Sequence, residues 1–186
     1  IVTESESLAE ALRQSFERRG VFTKHIPVDQ QVPDATVTGL LIVSAQNTDA
    51  GNLAQAFAQL RAYAPQVQGA AARGAALLTT VSRVDGRFGL ATKEGITAIE
   101  QPLSAGLCGM AKTAAREWPD VPCKSIDIDA GWADEQALAD ALVAETLLIG
   151  PLEVGLGRHG AVSVELSVQD VLPGDTGGKL LSPADL

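Results

Sequence analysis

Apolar residues recur along the chain with two spacings, one typical of amphipathic helices and the other of buried strands. The clearest case is the segment 103–129, where apolar residues three or four positions apart share one helical face. They are Leu103, Leu107, Met110, Ala114 and Trp118. Pro119 ends this helix, because proline donates no backbone hydrogen bond and restricts the residue before it. Residues 121–128 then have strand character, so the segment predicts a helix that leads directly into a strand.

The same two spacings predict further helices and strands in alternation. Helices are expected at 5–19, 52–64, 66–73 and 134–148, and strands at 1–3, 21–26, 38–45, 75–81 and 161–166. Ser5 and Asp134 are the expected N-caps, Gly20 follows the first helix, and Pro65 breaks or kinks the second. This alternation predicts an α/β, Rossmann-like three-layer domain with a mainly parallel sheet.

Length and charge narrow the range of functions. A chain of 186 residues is long enough for one domain with a sizeable core. The net charge of −9 excludes nucleic acid and anionic membranes as main partners, because both bind through a basic surface. No apolar run approaches the ~20 residues that span a bilayer, and no signal peptide is evident, so a cytoplasmic protein is expected.

Cysteines and chain ends add two expectations. Cys108 and Cys123 are too few for a disulfide framework and are predicted to be small buried hydrophobes. The chain starts at Ile1 and ends in the Gly/Pro-rich stretch 173–185. We therefore expect it to be part of a longer protein.

The turn after the first predicted strand lacks the features of a dinucleotide site. Such a site needs glycines, which let the backbone approach a pyrophosphate at a helix N-terminus. Here Val2 is followed by Thr3, Glu4, Ser5 and Glu6. Acidic residues are also favourable in any first helical turn. On either interpretation, the sequence predicts that this turn does not bind a dinucleotide.

A second glycine-rich segment, 155–160, matches G-x-G-x-x-G. That motif indicates a cofactor only between a strand and a helix, and here a strand-like segment follows. We therefore predict a hairpin or bulge turn with His159 exposed. His25 is expected at a surface or sheet edge, and the sequence predicts no metal site.

Nucleophilic and acid-base patterns are also weak. No G-x-S-x-G elbow is present, and Ser44, Ser82 and Ser104 have no histidine at a recognisable spacing. Asp127 and Asp129, two apart on a strand, should point to one side of it. The pair could bind a ligand, but a solvated strand end is the favoured interpretation.

Several segments together resemble a known family. They are LLIVS at 40–44, NLAQAF at 52–57, LTTVSRVDG at 78–86, GLCGMAKT at 106–113 and EWP at 117–119. The chain resembles the short-chain dehydrogenase/reductase fold, and specifically the structural half of the ketoreductase of polyketide and polyunsaturated fatty acid synthases. The resemblance implies a Rossmann-like structural subdomain at 1–166, and a linker or tail at 167–186 toward a following catalytic subdomain that binds NADPH.

The resemblance can be tested against the family's catalytic Tyr-x-x-x-Lys, in which the lysine assists proton donation by the tyrosine. Aligning Glu117 with the family's acid puts the tyrosine position near Glu100 and the lysine position near Ser104. Tyr63 has no lysine four residues later, and Lys112 is too far along the helix. The resemblance therefore implies no catalytic, cofactor-binding or metal-binding residue in this chain.

These inferences predict a chain that is not an enzyme by itself and binds no cofactor, with NADPH in the neighbouring catalytic subdomain of a multidomain synthase. The alternative is a divergent stand-alone short-chain reductase of a β-ketoacyl thioester, using a loop such as 155–160. The expected partner is the catalytic subdomain of the same chain. An acyl carrier protein is a second candidate, which would need a basic patch such as Arg18 with Arg19, or Lys112 with Arg116.

The helix at 103–118 has two further predicted roles. Lys112 and Arg116 are expected to form local ion pairs with Glu117 and Asp120, and Trp118 to close the core at the helix end. The small residues of the helix are Ala105, Gly106, Gly109, Ala111, Ala114 and Ala115. They would allow close packing, either on the domain's own sheet or on a partner.

Overall fold

The computed structural model describes residues 1–30, 37–90, 99 and 101–165. Its strands are β1 (Gly39–Val43), β2 (Leu77–Ser82), β3 (Cys123–Ile128), β4 (Glu153–Gly157) and β5 (Gly160–Ser163). Its α-helices are α1 (Glu6–Glu17), α2 (Ala50–Ala71), α3 (Gly106–Glu117) and α4 (Glu135–Thr146), and a 3₁₀ turn at Pro102–Ala105 precedes α3. No helix among the described residues is long and apolar enough to cross a membrane.

The strands form one sheet in the order β1-β2-β3-β4-β5. β1 to β4 are parallel, and β5 returns antiparallel beside β4. On the outer side of β1, single parallel bridges join Val2 to Ile42 and to Ile26. The predicted α/β, Rossmann-like architecture with a mainly parallel sheet is confirmed.

Helices cover both faces of the sheet. α1 and α4 enclose one apolar cluster, which includes Leu12, Val81 and Leu142. α2 and α3 cover the other face, with a cluster that includes Leu60 and Leu107. Because both faces are covered, the inner strands are almost continuously buried, as their apolar runs predicted.

Local sequence signals account for the helix starts. Ser5 Oγ accepts a hydrogen bond from Leu8 N at 3.2 Å, and Asp134 Oδ1 accepts from Gln136 N at 2.8 Å. Both predicted N-caps are confirmed. α2 starts at Ala50, two residues before the predicted start, because Asp49 and Asn52 form a reciprocal capping box.

Three predicted features differ in the structure. α2 runs through Pro65 without a break, since buried residues before and after the proline hold it on the core. In the predicted strand 21–26, only Ile26 makes a bridge. Leu103 is half exposed, because the chain at this point winds as a 3₁₀ turn and rotates it away from the buried face.

A buried ion pair lies between β3 and the end of α4. Lys124 Nζ is 2.6 Å from Glu145 Oε1 and also donates to the carbonyl oxygens of Glu145 and Leu148, at 2.8 and 2.7 Å. Both side chains are about nine-tenths buried. The ammonium group thus satisfies two carbonyls at the helix end as well as a carboxylate.

We expect Lys124→Met to lower the free energy of unfolding by about 3–5 kcal/mol, since it leaves the Glu145 carboxylate buried and unpaired. Lys112→Met is the matched control. It removes an ion pair with Glu153 at 3.0 Å whose lysine is half exposed, and should cost less than about 1 kcal/mol. Urea denaturation measures both values, and equal losses would contradict the role given to Lys124.

Candidate functional site

The carboxyl edge of the sheet is where parallel α/β folds bind ligands, in the crevice where strand order reverses. In this chain the reversal lies between Val2 and β1, because Val2 leads into α1 on one face and β1 leads into α2 on the other. Thr3 and Glu4 follow Val2, and Ser44 follows β1. Glu4 and Ser44 line the crevice.

The crevice is nearly closed. Its free volume is about 10 Å³, with Glu4, Ser44, Thr48 and Asn52 in its lining. Asn52 Nδ2 donates to Glu4 Oε1 at 2.6 Å across it. The buried hydroxyl of Ser44 has no hydrogen-bond partner among the described residues. A space of this size admits about one water molecule.

Asp127, at the end of β3, is fully buried. Its Oδ1 accepts hydrogen bonds from Ser82 Oγ at 2.7 Å and Val84 N at 2.8 Å, and its Oδ2 accepts from Asp85 N at 3.2 Å and Phe88 N at 2.9 Å. The favoured interpretation of a solvated strand end is therefore wrong for this residue. The reason is the loop after β2, which folds over the carboxylate and presents its backbone N–H groups to it. Four donors compensate the cost of burying the charge.

The loop at 83–90 also lies directly on β4. A Cβ at Gly155 would be 2.0 Å from the carbonyl oxygen of Gly86, so only glycine fits there. Gly86 has a φ of 72°, which favours glycine as well. This close contact places the loop over the ends of β3 and β4.

The G-x-G-x-x-G segment is a hairpin turn, as predicted. Gly155 and Gly157 belong to β4, Gly160 begins β5, and the exposed His159 lies in the turn between the strands. No helix N-terminus follows these glycines. His25 is partly buried, and its Nε2 lies 2.9 Å from Thr3 O.

Ser104, near the lysine position that the resemblance implies, is fully buried, and its hydroxyl bonds to backbone groups. Its Oγ accepts from Arg83 N at 3.0 Å and donates to Gln101 O at 2.7 Å. Arg83 in turn donates through Nε to Ser44 O at 3.3 Å, which joins the ends of β1 and β2. Glu100 lies outside the described residues, and Tyr63 is buried among the residues that α2 packs on the sheet.

The outer side of α3 borders a groove of about 490 Å³ lined by residues such as Cys108, Gly109 and Arg116. Lys112 also lines it, and pairs with Glu153 on β4 rather than with the local acids predicted for it. The reason is that β4 starts beside α3. Trp118 is partly buried against the core cluster, as expected of a residue that closes the helix end.

The small residues of α3 divide between two environments. Ala111 and Ala114 are buried against the domain's own sheet. This is the first of the two predicted packing alternatives. Ala105, in the 3₁₀ turn before α3, and Gly109 are exposed. A partner on that exposed side stays a prediction.

Neither cysteine forms a disulfide. Cys108 is buried, with its Sγ 3.2 Å from Ser82 Oγ, and burial raises the pKa of its thiol. Burial also raises the pKa of the half-buried Cys123 thiol to about 11. Burial thus disfavours the thiolate form of both cysteines. Within the described ranges, no three His, Cys, Asp or Glu side chains come together to hold a metal ion.

Comparison with solved structures identifies the fold. The chain is similar to a carbonyl reductase from Pseudomonas aeruginosa PAO1, with a TM-score of 0.51 and 17% identity over 78% of this chain and 88% of that one. It is also similar to an alcohol dehydrogenase from the archaeon Thermococcus sibiricus complexed with 5-hydroxy-NADP, with a TM-score of 0.50 and 12% identity over 84% and 83% of the two chains. No protein-family model and no curated protein matches the sequence. The short-chain dehydrogenase/reductase fold is thereby confirmed.

Two predictions are wrong by the same comparison. The prediction that the chain is not an enzyme by itself is contradicted, because both neighbours are oxidoreductase enzymes. The prediction that it binds no cofactor is contradicted by the neighbour complexed with 5-hydroxy-NADP. Both predictions depended on the absence of motifs in the sequence.

In its present conformation the crevice does not fit a dinucleotide. About 10 Å³ is far too small, and the Glu4 carboxylate would face the pyrophosphate. A bound dinucleotide would require Glu4 and Asn52 to separate.

We expect Asp127→Asn to lower the free energy of unfolding by about 1–3 kcal/mol, because in either orientation the new amide N–H₂ faces at least one backbone N–H and leaves it unsatisfied. Asp85→Asn is the matched control in the same loop. Only Oδ1 of Asp85 accepts from Arg87 N and Gly89 N, and asparagine keeps that oxygen. The control should cost less than about 1 kcal/mol. Urea denaturation compares the two, and a larger loss for the control would contradict the role given to Asp127.

Proposed function

We propose that this chain works in an NADPH-dependent ketoreductase of a polyketide or polyunsaturated fatty acid synthase, as the Rossmann-like subdomain that supports reduction of a β-ketoacyl thioester. Residues 1–166 would form this subdomain, and residues 167–186 would connect it to the catalytic subdomain, its main partner. Such a multidomain synthase would act in the cytoplasm. Two observations support the proposal together: the short-chain dehydrogenase/reductase fold, and the sequence resemblance at 78–86 and 106–119.

The observation that carries the proposal is the fixed carboxyl edge of the sheet. Asp127 holds the loop at 83–90, Gly155 lets that loop lie on β4, and Ser104 with Arg83 joins the adjoining strand ends. A carboxyl edge held by its own hydrogen bonds suits a rigid support for a neighbouring site. Ser82, Arg83 and Gly86, which belong to the resembling segment 78–86, contribute to this edge.

One observation favours a second candidate, a divergent stand-alone short-chain reductase acting on a β-ketoacyl thioester. The match to the carbonyl reductase covers 88% of that enzyme's chain, which is nearly a whole reductase rather than one half of a larger one. The loop 155–160 would not serve as its cofactor loop, because it is a hairpin turn. The crevice beside Glu4 is the place where this candidate would bind NADPH.

A turnover assay with NADPH and a β-ketoacyl N-acetylcysteamine thioester distinguishes the two candidates. The supporting role predicts reduction by the parent synthase polypeptide and a rate at least about tenfold lower for the chain alone. The stand-alone reductase predicts equal rates per active site. Absorbance at the NADPH band measures both, and absence of reduction by both proteins would overturn the two candidates together.

Glu4→Gln tests the crevice. Removing this carboxylate eliminates its repulsion of a pyrophosphate, so the second candidate predicts NADPH binding at least about threefold tighter than in the wild type. Glu6→Gln is the control. Glu6 is the exposed first residue of α1, and the hydrogen bond across the crevice is made by Glu4 instead. Fluorescence titration measures both constants. A dissociation constant that Glu4→Gln leaves unchanged would place NADPH elsewhere.

A further inference from the structure

The groove of about 490 Å³ beside α3 has no part in the proposed function. We call it the α3 groove. Its walls come from the loop after β2, from α3 and from β4, and they include Phe88, Gly109, Lys112, Arg116 and Glu153. The α3 groove and the crevice share no lining residue. Its volume is typical of sites that bind a small molecule.

Gly109 leaves space in this groove. It is an exposed residue in the interior of α3, where glycine is the least favourable helix residue after proline. A Cβ at Gly106, nearly one turn earlier, would lie 2.9 Å from the side chain of Leu53 on α2, whereas a Cβ at Gly109 would meet no other described part of the chain within 4 Å. Packing within the described residues therefore accounts for the glycine at position 106 but not for Gly109. The missing side chain leaves room for a ligand.

Phe88 contributes an aromatic wall in a strained backbone conformation. Its φ is 58°, the one positive φ at a non-glycine residue among the described residues. Such a conformation costs free energy and persists only where surrounding contacts impose it. The backbone N–H of Phe88 donates to Asp127 Oδ2 at 2.9 Å, which fixes the conformation. Asp127 thereby holds a partly buried ring at the wall of the groove.

The charged residues of the groove favour an anion, although the chain as a whole carries a net charge of −9. Two cations, Lys112 and Arg116, and one carboxylate, Glu153, line it, so its net charge is +1. Lys112 pairs with Glu153 at 3.0 Å, which leaves two of its three N–H donors for another group. Arg116 is exposed and forms no ion pair with any described residue. The acids next to it in the sequence, Glu117 and Asp120, do not line the groove.

The spacing of these residues along α3 brings the cations and the open space together. At a rise of about 1.5 Å per residue, Lys112 lies about 4.5 Å and Arg116 about 10 Å from Gly109 along the helix axis. Helical side chains lean toward the N-terminus of their helix, so both cationic groups are directed back toward Gly109. A flat group over Gly109 therefore has an ammonium and a guanidinium within reach of an acid group attached to it.

We propose that the α3 groove binds a small molecule in which a flat apolar group carries a carboxylate or a phosphate. The flat group lies over Gly109 against the ring of Phe88, and the acid group binds Arg116 and the remaining donors of Lys112. Contact with the ring supplies apolar affinity. The planar guanidinium binds either anion through two parallel hydrogen bonds, which orients the ligand. This site is independent of either candidate function.

The test is an amide-resolved NMR titration of the full chain with naphthaleneacetate and with naphthyl phosphate. At least one of them should shift the amide signals of Phe88, Gly109 and Thr113 in a saturable manner, and the two dissociation constants show which anion the groove prefers. The neutral naphthaleneacetamide and inorganic phosphate each lack one half of the ligand, so each should bind at least about tenfold more weakly than the preferred anion.

Two variants and two matched controls assign the site. Gly109→Leu should weaken binding at least about tenfold because its side chain fills the groove, and Arg116→Gln at least about fivefold. Gly69→Leu is the first control, since Gly69 is an exposed glycine inside α2 whose Cβ would also meet nothing within 4 Å. Arg61→Gln, at an exposed arginine of the same helix, is the second. Leucine is a better helix residue than glycine, so both glycine variants should fold, which circular dichroism checks.

Both controls should bind the preferred anion as the wild type does. No saturable shift with either anion, shifts confined to amides away from the groove, equal weakening by the controls, or equal affinity for the neutral amide would each overturn the proposal. A concentration-dependent dimer that Gly109→Leu abolishes would assign the groove to a second copy of the chain and overturn it as well.

Discussion

The buried carboxylate of Asp127 is the interaction on which the carboxyl edge of this sheet depends. Its two oxygens bind Ser82 on the neighbouring strand and three backbone N–H groups of the loop at 83–90. A buried charge is tolerated only when it is fully hydrogen-bonded, so the carboxylate and the loop conformation require each other. Because the loop then rests on Gly155, one side chain fixes the ends of β2, β3 and β4 relative to one another.

Buried hydroxyls without a hydrogen-bond partner among the described residues occur at both ends of the sheet. At the carboxyl edge, hydrogen bonds within the chain occupy Asp127, Ser104 and Arg83. At the amino edge, buried hydroxyls and large apolar side chains have no partner among the described residues. Unsatisfied groups indicate where a folded chain gains most from contact with another molecule. In this chain one of them, the buried hydroxyl of Ser44, lies in the crevice at the edge where its fold usually binds ligands.

The sequence predicted those features that depend on neighbours along the chain. The helix caps at Ser5 and Asp134, the apolar strands and the hairpin at 155–160 all follow from local spacing. The partners of Asp127 and Lys124 could not be predicted, because they lie some 40 and 21 positions away in the sequence. The two residues lie on opposite faces of β3, and a polar residue on a strand does not by itself indicate what covers it. Only the packing of a loop and of the end of α4 over them makes them buried.

The closed crevice and the oxidoreductase fold are compatible on energetic grounds. The contact that spans the crevice is one hydrogen bond between exposed groups of Glu4 and Asn52, which contributes about 1 kcal/mol or less. A ligand that binds with micromolar affinity provides about 8 kcal/mol, so separating these two side chains would cost only a small part of it. Closure therefore does not decide whether a dinucleotide binds. The fixed negative charge of Glu4 is the stronger obstacle, since opening the crevice moves the carboxylate but does not remove it from the edge that a pyrophosphate would approach.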